Sequence, residues 1–396
     1  DFTFDRNSTV ATRVNKDGYI ETVANDIPRL DYPLIDGVVQ DCPSLLLEPA
    51  RTNSVQYSED FSNVAWTTNN ATISINQLIS PDGILNADKI TEDTSNTDHK
   101  TRDTIAFSSG SYTWSVFAKK SERNFVVINV YDGTSLFGHT FDLLNGNLGS
   151  LVSGSSSVNA SIENYGNEWY RCSISFTASS GSGQANVGTA LASSTTSYIG
   201  DGTSGVYIYG AQVEAGSYPT SYIPTSGSTV TRAAETANGA GTLADFNDSE
   251  GVLFAEISGF SSYGSNSVIS ISDGSTSDRL LLYYGTTTNT INIFDGTSVG
   301  TFTSNNIELF NKVSVVYDTN STRMWVNGFE VVSISSVNFN GLNVLNLQNE
   351  TNALPFYGNT KEIAVFKTAL TDSELEALTS WDSFSDMATG QEYSIR

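Results

Sequence analysis

Short runs of alternating apolar and polar residues, turn residues set between those runs, and almost no helical periodicity predict an all-β chain. The expected architecture is two antiparallel β-sandwiches in series, preceded by an extended N-terminal arm. The 396 residues suffice for two or three domains, and an aromatic content of 11% supplies material for their cores. The 32 glycines, with abundant Ser, Thr and Asn, punctuate runs of Val, Ile, Tyr and Phe. One stretch, Ala369 to Leu378, reads as a helix, opened by a Thr371-x-x-Glu374 capping box.

Residues 1–54 read as hairpins plus an extended arm, too short to bury a core of their own. The arm is therefore expected to pack on a sandwich or on a neighbouring subunit. It carries Arg6, Arg13, Arg29 and Arg51, four of the 19 Lys and Arg of the chain, expected to pair with local carboxylates and pin the arm in place. The chain opens at Asp1 in mid-strand, which reads as part of something longer. Residues 55–225 are the first sandwich, with strands at Tyr112–Lys119, Asn124–Tyr131, His139–Asp142, Trp169–Phe176 and Val206–Glu214. Asp-Gly-Thr turns stand at Asp132 and Asp201, and a third at Asp295. Residues 226–248 are rich in Gly, Ser, Thr and Ala and read as a linker.

Residues 249–380 are the second sandwich. Val313, Val315 and Tyr317 alternate with polar positions, Asp318–Ser321 makes a turn, and Met324 and Val326 alternate with Arg323 and Trp325. Asn327-Gly328 is a hairpin dipeptide, and Lys361–Lys367 is one more alternating strand. Residues 381–396 form a polar tail containing Trp381 and Phe384.

Nineteen Lys and Arg against 43 Asp and Glu give a formal net charge of −24. Such a surface repels nucleic acid and anionic membrane, so neither is an expected partner. No hydrophobic run approaches membrane-spanning length. The two cysteines, Cys42 and Cys172, are far apart; Cys172 alternates with Tyr170, Ile174 and Phe176 on a core face, and no disulfide framework is expected.

The chain has two histidines, His99 and His139, neither in a nucleophile-elbow context. Zinc lacks ligands. Retaining glycoside cleavage needs two carboxylates about 5 Å apart, and no expected strand offers such a same-face pair. A catalytic role is therefore not expected. Sugar binding suits the composition better, because a sugar offers apolar C–H faces to aromatic rings and hydroxyls to planar polar groups. In the strand at Trp169, alternation turns Trp169 and Arg171 away from the core, and Arg323 with Trp325 makes a similar pair. These four are the candidate carbohydrate residues, with packing beneath a second layer as the alternative. Asp273 and Asp278 flank a Gly/Ser turn whose hard oxygens suit a structural calcium; no other cofactor is expected.

Three stretches also resemble known families. Residues 1–54 are similar to a module of phage and prophage tail proteins, through Arg6, Ser8, Ala11, Thr12, Arg13, Gly18, Glu21, Pro28, Arg29, Tyr32, Glu48, Pro49, Arg51, Thr52 and Asn53. The run Gly210–Gly227 resembles the close of jelly-roll carbohydrate-binding modules in such proteins, continued by Thr231-Arg-Ala-Ala-Glu235, with Tyr209 where Trp is common and Glu235 where Asp is. The last third, through its Tyr317-Asp318, Val326-Asn-Gly328 and Ala369-Leu-Thr-Asp-Ser-Glu374 motifs, resembles laminin-G-like, concanavalin-type lectin sandwiches. The catalytic strands of lyases and glycosidases on that fold are missing here. The resemblances imply a virion-associated tail-fibre or receptor-binding protein. It would bind host surface polysaccharide without catalysis, sit among other phage structural proteins, and assemble as a homotrimer. A structural spacer and a polysaccharide depolymerase are the alternatives.

Overall fold

A computed structural model describes residues 1–261, 267–335 and 338–381; Phe384 of the expected polar tail lies outside them. The described chain is all-β apart from one helix, Asp372–Thr379. Both five- to seven-stranded sheet pairs are antiparallel throughout.

The first sandwich faces two six-stranded sheets. The front sheet runs Ala71–Ile79, Leu85–Glu92, Gly205–Ala215, Gly110–Lys120, Tyr170–Ala178, Asn159–Asn164. The back sheet runs Asn147–Leu151, Leu136–Asp142, Phe125–Tyr131, Gly181–Ala190, Lys100–Phe107, Thr67–Asn69. Trp114, Val116, Cys172 and Ile174 from the front meet Ile105, Val126, Ile128 and Val187 from the back in one buried cluster. Period-2 alternation produces this: the inward set of each strand is apolar, as expected for Cys172 and Ile174.

The second sandwich faces a seven-stranded sheet against a five-stranded one. Its central strand Gly251–Ser258 is buried at every position. Leu253, Ala255 and Ile257 enter the core with Val313, Val315, Tyr317, Met324 and Val326, while Val252 packs under the helix. Asn327 and Gly328 take φ of 50° and 91°, the paired left-handed residues of a tight hairpin. The helix begins at the capping box read from Thr371 and Glu374.

The arm is built into the second sandwich. Ser44–Leu47 pairs with Gly358–Phe366, and Arg29–Asp31 pairs with Ser44–Leu47, so two arm strands finish the seven-stranded sheet. The stretch read as a linker is also tied at both ends. Val230–Arg232 pairs with Arg51–Asn53, Thr236–Asn238 pairs with Thr3–Asp5, and Ala237 enters the second core.

One buried ionic cluster fastens these pieces. Arg6, Arg29, Arg232 and Glu235 have no exposed surface, and Glu48 is 2% exposed. Arg6 Nη1 donates to Glu235 at 2.9 Å, Arg29 Nε donates to Glu235 at 2.8 Å, and Arg29 Nη2 meets Glu48 at 2.8 Å. Arg232 Nη1 meets Glu48 at 2.9 Å, and Ser221 Oγ donates to Glu48 at 2.6 Å. The Arg6, Arg29, Glu48, Arg232 and Glu235 of the tail-protein resemblance are thus one contact set, gathered from the arm and the connector and joined by Ser221 from the close of the first sandwich. Arg6 and Arg29 pair with carboxylates as expected, but with Glu235, 229 and 206 residues away, rather than with local ones alone. Ion pairs taken out of water hold only when each charge is matched, so the cluster specifies how arm and sandwiches fit together.

Carboxylates in this cluster and beyond it set opposing pH dependences. Each Asp-Gly-Thr-Ser turn folds back on its own aspartate: Asp132, Asp201 and Asp295 each accept amide N–H bonds from residues two and three further on. Burial disfavours the charged form of Asp132, but hydrogen bonds from Ser179, Ser135 and Thr134 outweigh it and bring the carboxyl down to about 2. Glu48 is likewise desolvated yet brought down to about 2 by Arg232 and Arg29. Asp31 and Asp88 go the other way, pushed up to about 6 by desolvation that their backbone hydrogen bonds only partly offset. Between about pH 6 and 4 the folded chain takes up protons on Asp31 and Asp88 before the unfolded chain does, so stability rises as pH falls. Below about pH 4 the unfolded chain protonates Glu48 and Asp132 first, and stability is lost toward about pH 2. The urea midpoint should therefore peak near about pH 4 to 5. A midpoint that falls steadily from pH 7 to 4 would contradict this assignment.

Candidate functional site

The front sheet of the first sandwich turns a polar face away from its core. Its side chains fall into rows across neighbouring strands. Asn159, Ser175, Thr113 and Glu214 make one row, and Ser161, Ser173, Ser115 and Gln212 the next. Glu163, Arg171, Phe117 and Tyr209 make the third. Tyr209 and Gln212, three residues apart, share this face only because a bulge inserts one residue opposite Val116. Gly210 takes φ +64° there, and a Cβ on it would stand 2.8 Å from the Phe117 ring.

Part of this face is covered and part is open. Thr220 and Ile223 cover Glu214 and Gln212 through bonds to their side chains. The outer strands instead floor a cleft of about 1020 Å³. Ser161, Glu163, Arg171, Ser173 and Ser175 form the floor, and Asp31, Tyr32, Pro33, Leu34 and Asp36 of the arm line the cleft as well. Tyr218, from the close of the first sandwich, and Phe260, Asn306 and Asn359, from the second sandwich, also line it. Tyr218 and Phe260 stack with ring centroids 5.7 Å apart, so the two sandwiches meet at an aromatic step on the cleft rim.

Arg171 is the deepest charged group of the floor, 4% exposed. Its Nη2 donates to Ser115 Oγ at 3.1 Å, and its guanidinium lies 5.5 Å from the Phe117 ring centre. Desolvation works against its charge, but Tyr165 and Glu163 more than restore it. Glu163, opposite Arg171 in register, opens onto the cleft; protein walls around it push its carboxyl up, an effect Arg171 partly offsets. Asp31, half-buried, is the second cleft carboxylate displaced upward.

Of the residues read from the sequence as a sugar platform, only Arg171 lines this cleft. Trp169 faces away from the core, as alternation required, but that second face is covered. The ring is 2% exposed, packed in a cluster with Ile20 of the arm, Ala87, Phe117, Tyr209 and Tyr222, and its Nε1 donates to Ile79 O at 3.1 Å. Trp325 is also a packing residue, 7% exposed beneath Leu375 of the helix, beside Val252 and Val316. Arg323 is spent on Glu330 at 3.1 Å and Asp372 at 2.6 Å. Neither tryptophan presents a face to a ligand. Asp273 and Asp278 each tie down backbone: Asp273 Oδ1 accepts from Ser275 N at 2.8 Å, and Asp278 Oδ1 accepts from Asn340 N at 2.8 Å. Among the described residues no three His, Cys, Asp or Glu side chains gather as metal ligands.

Sequence reading missed Glu163, Asp31, Tyr218 and Phe260. The alternation of Asn159–Asn164 was a signal for Glu163, since its apolar Ala160 and Ile162 pack on the core and send the other positions outward. Tyr218 and Phe260 carried no local signal, because their roles depend on how two distant segments meet.

No protein-family model matches the chain, and no curated protein matches it. Among solved structures, it is similar to the CBM40 module of the Ruminococcus gnavus IT-sialidase bound to α2,3-sialyllactose. That match is 18% identical and covers 36% of this chain and 94% of that one, with a TM-score of 0.30. A putative carbohydrate-binding protein of Bacteroides ovatus is 13% identical over 72% of this chain and 81% of that one, TM-score 0.28. Domains LG4-5 of the mouse laminin α1 chain are 10% identical over 81% and 89%, TM-score 0.24. At these scores the likenesses do not bear on what this chain binds.

Proposed function

We propose that this chain binds an oligosaccharide, without cleaving it, in the cleft between the two sandwiches. The observation that carries the reading is the cleft floor. There, hydroxyls of Ser161, Ser173 and Ser175 stand beside a forked donor, Arg171, and a free acceptor, Glu163, under the aromatic step of Tyr218 and Phe260. Sugar hydroxyls need such donors and acceptors, and their C–H faces need rings. The biological setting we propose is a virion surface, with host envelope polysaccharide as ligand and a homotrimer as the assembled form. This part rests on the tail-protein resemblance of residues 1–54 and 210–235. Binding of the intact chain to host polysaccharide on a glycan array, lost in Arg171→Ala, is the expected result. Light scattering of the intact chain should give three times the chain mass.

A second reading, a spacer without ligand, is favoured by the burial of both Trp169 and Trp325. It predicts no array signal and no change in melting temperature with any sugar. Release of shortened products, abolished by Asp31→Asn or Glu163→Gln, would replace both readings with depolymerisation. The proposed site needs no metal; a melting temperature raised by calcium and reversed by chelation would reinstate the Asp273–Asp278 turn.

A further inference from the structure

The buried arginines of this protein differ in one respect. Arg6, Arg29 and Arg232 have no exposed surface, and each meets a carboxylate, Glu235 or Glu48. Arg171 is almost as buried, yet among the described residues no carboxylate lies within ion-pair distance of it. Its Nε has no hydrogen-bond partner. Its contacts are two hydroxyls, Ser115 and Tyr165, and the face of Phe117. A desolvated guanidinium with no carboxylate in contact is costly, and Glu163 and Glu214 act on this one only from beyond ion-pair distance. Glu163, the cross-strand neighbour, is turned to the cleft's water instead.

We infer that the glycan is acidic: its carboxylate seats on the Arg171 guanidinium, and an adjacent hydroxyl donates to Glu163. This rests on the reading of the cleft as a glycan site. A planar guanidinium matches a carboxylate through two parallel hydrogen bonds. Glu163 then distinguishes a sugar acid, which has hydroxyls beside its carboxylate, from a simple anion. The net charge of −24 does not forbid this, because exposed charges more than about 8 Å away are largely screened at physiological salt.

The test is calorimetric titration of the intact chain with oligosaccharides of glucuronate, galacturonate and mannuronate, each beside its carboxyl-reduced neutral form. At least one acid should bind, and its reduced form should bind about ten- to hundredfold more weakly. Arg171→Met should abolish that preference while the melting temperature holds or rises, since an unmatched charge has been removed. Glu163→Ala should weaken the acid and its reduced form by the same factor. Neutral forms binding as well as acids would overturn the inference and leave the glycan reading standing; no binding by either form would overturn both. Arg171→Met that lowers the melting temperature and leaves affinity unchanged would make Arg171 a packing residue.

Discussion

Glu235→Ala should cost about 3–5 kcal/mol of stability, the usual penalty for breaking a buried charge set from one side. Glu235 has no exposed surface and accepts from Arg6, from Arg29 and from the backbone N–H of Glu48 at 2.9 Å. Removing its carboxylate leaves Arg6 with carbonyl partners alone, such as Ile27 O at 3.1 Å, and leaves Arg29 with Glu48. Neither guanidinium sheds its proton in response, so the charge stays buried and underpaired. The urea midpoint gives the size of the loss. Its location should show in limited proteolysis, with new cleavage within residues 1–54 before either sandwich opens. Glu235→Asp, the residue the resembling motif has there, should cost less, because it shortens the reach without removing the charge. A loss under about 1 kcal/mol for Glu235→Ala would mean that the cluster does not fasten the arm.

The same cluster shows what was legible in the sequence. Arg6, Arg29, Glu48, Arg232 and Glu235 stood out as motif residues, and pairing with local carboxylates was the expected role of Arg6 and Arg29. That the arm would supply Ser44–Leu47 and Arg29–Asp31 to the second sandwich was not legible, since strand pairing across some 310 residues leaves no local trace. Strands with clean alternation, such as Asn311–Tyr317 and Ser321–Val326, were found close to their true ends. Gly181–Ala190 escaped because its residues are small and polar, with few β-branched or aromatic side chains. It is a strand because its neighbours hold it: a Cβ on Gly183 would stand 2.3 Å from Tyr131 O, and one on Gly188 2.4 Å from His99 O. The candidate site divides along the same line. Alternation placed Arg171 on the correct face, but could not show that Trp169 packs in a closed cluster while Arg171 borders the cleft.

Trp169→Ala should accordingly cost about 3–5 kcal/mol, the range for truncating a large buried ring, and should leave ligand affinity unchanged wherever the variant is folded. The ring sits where the front sheet meets the arm hairpin Ala11–Val14 and Ile20–Val23, touching Ile20 on one side and Phe117 and Tyr209 on the other. Its Nε1 hydrogen bond to Ile79 O is lost as well, at 3.1 Å in the intact chain. The local turn leaves the ring no second place: Asn167 and Glu168 both take positive φ, and Trp169 N donates to Gly166 O at 2.8 Å, which fixes the side chain's direction. Trp169→Phe keeps most of the apolar contact and forfeits the hydrogen bond, so it should cost about 1–2 kcal/mol. Tryptophan fluorescence should report the same burial, with no change on saturation by a ligand held at Arg171. The opposite pairing, stability retained and sugar affinity lost in Trp169→Ala, would return the ring to a binding role and displace the cleft as the site.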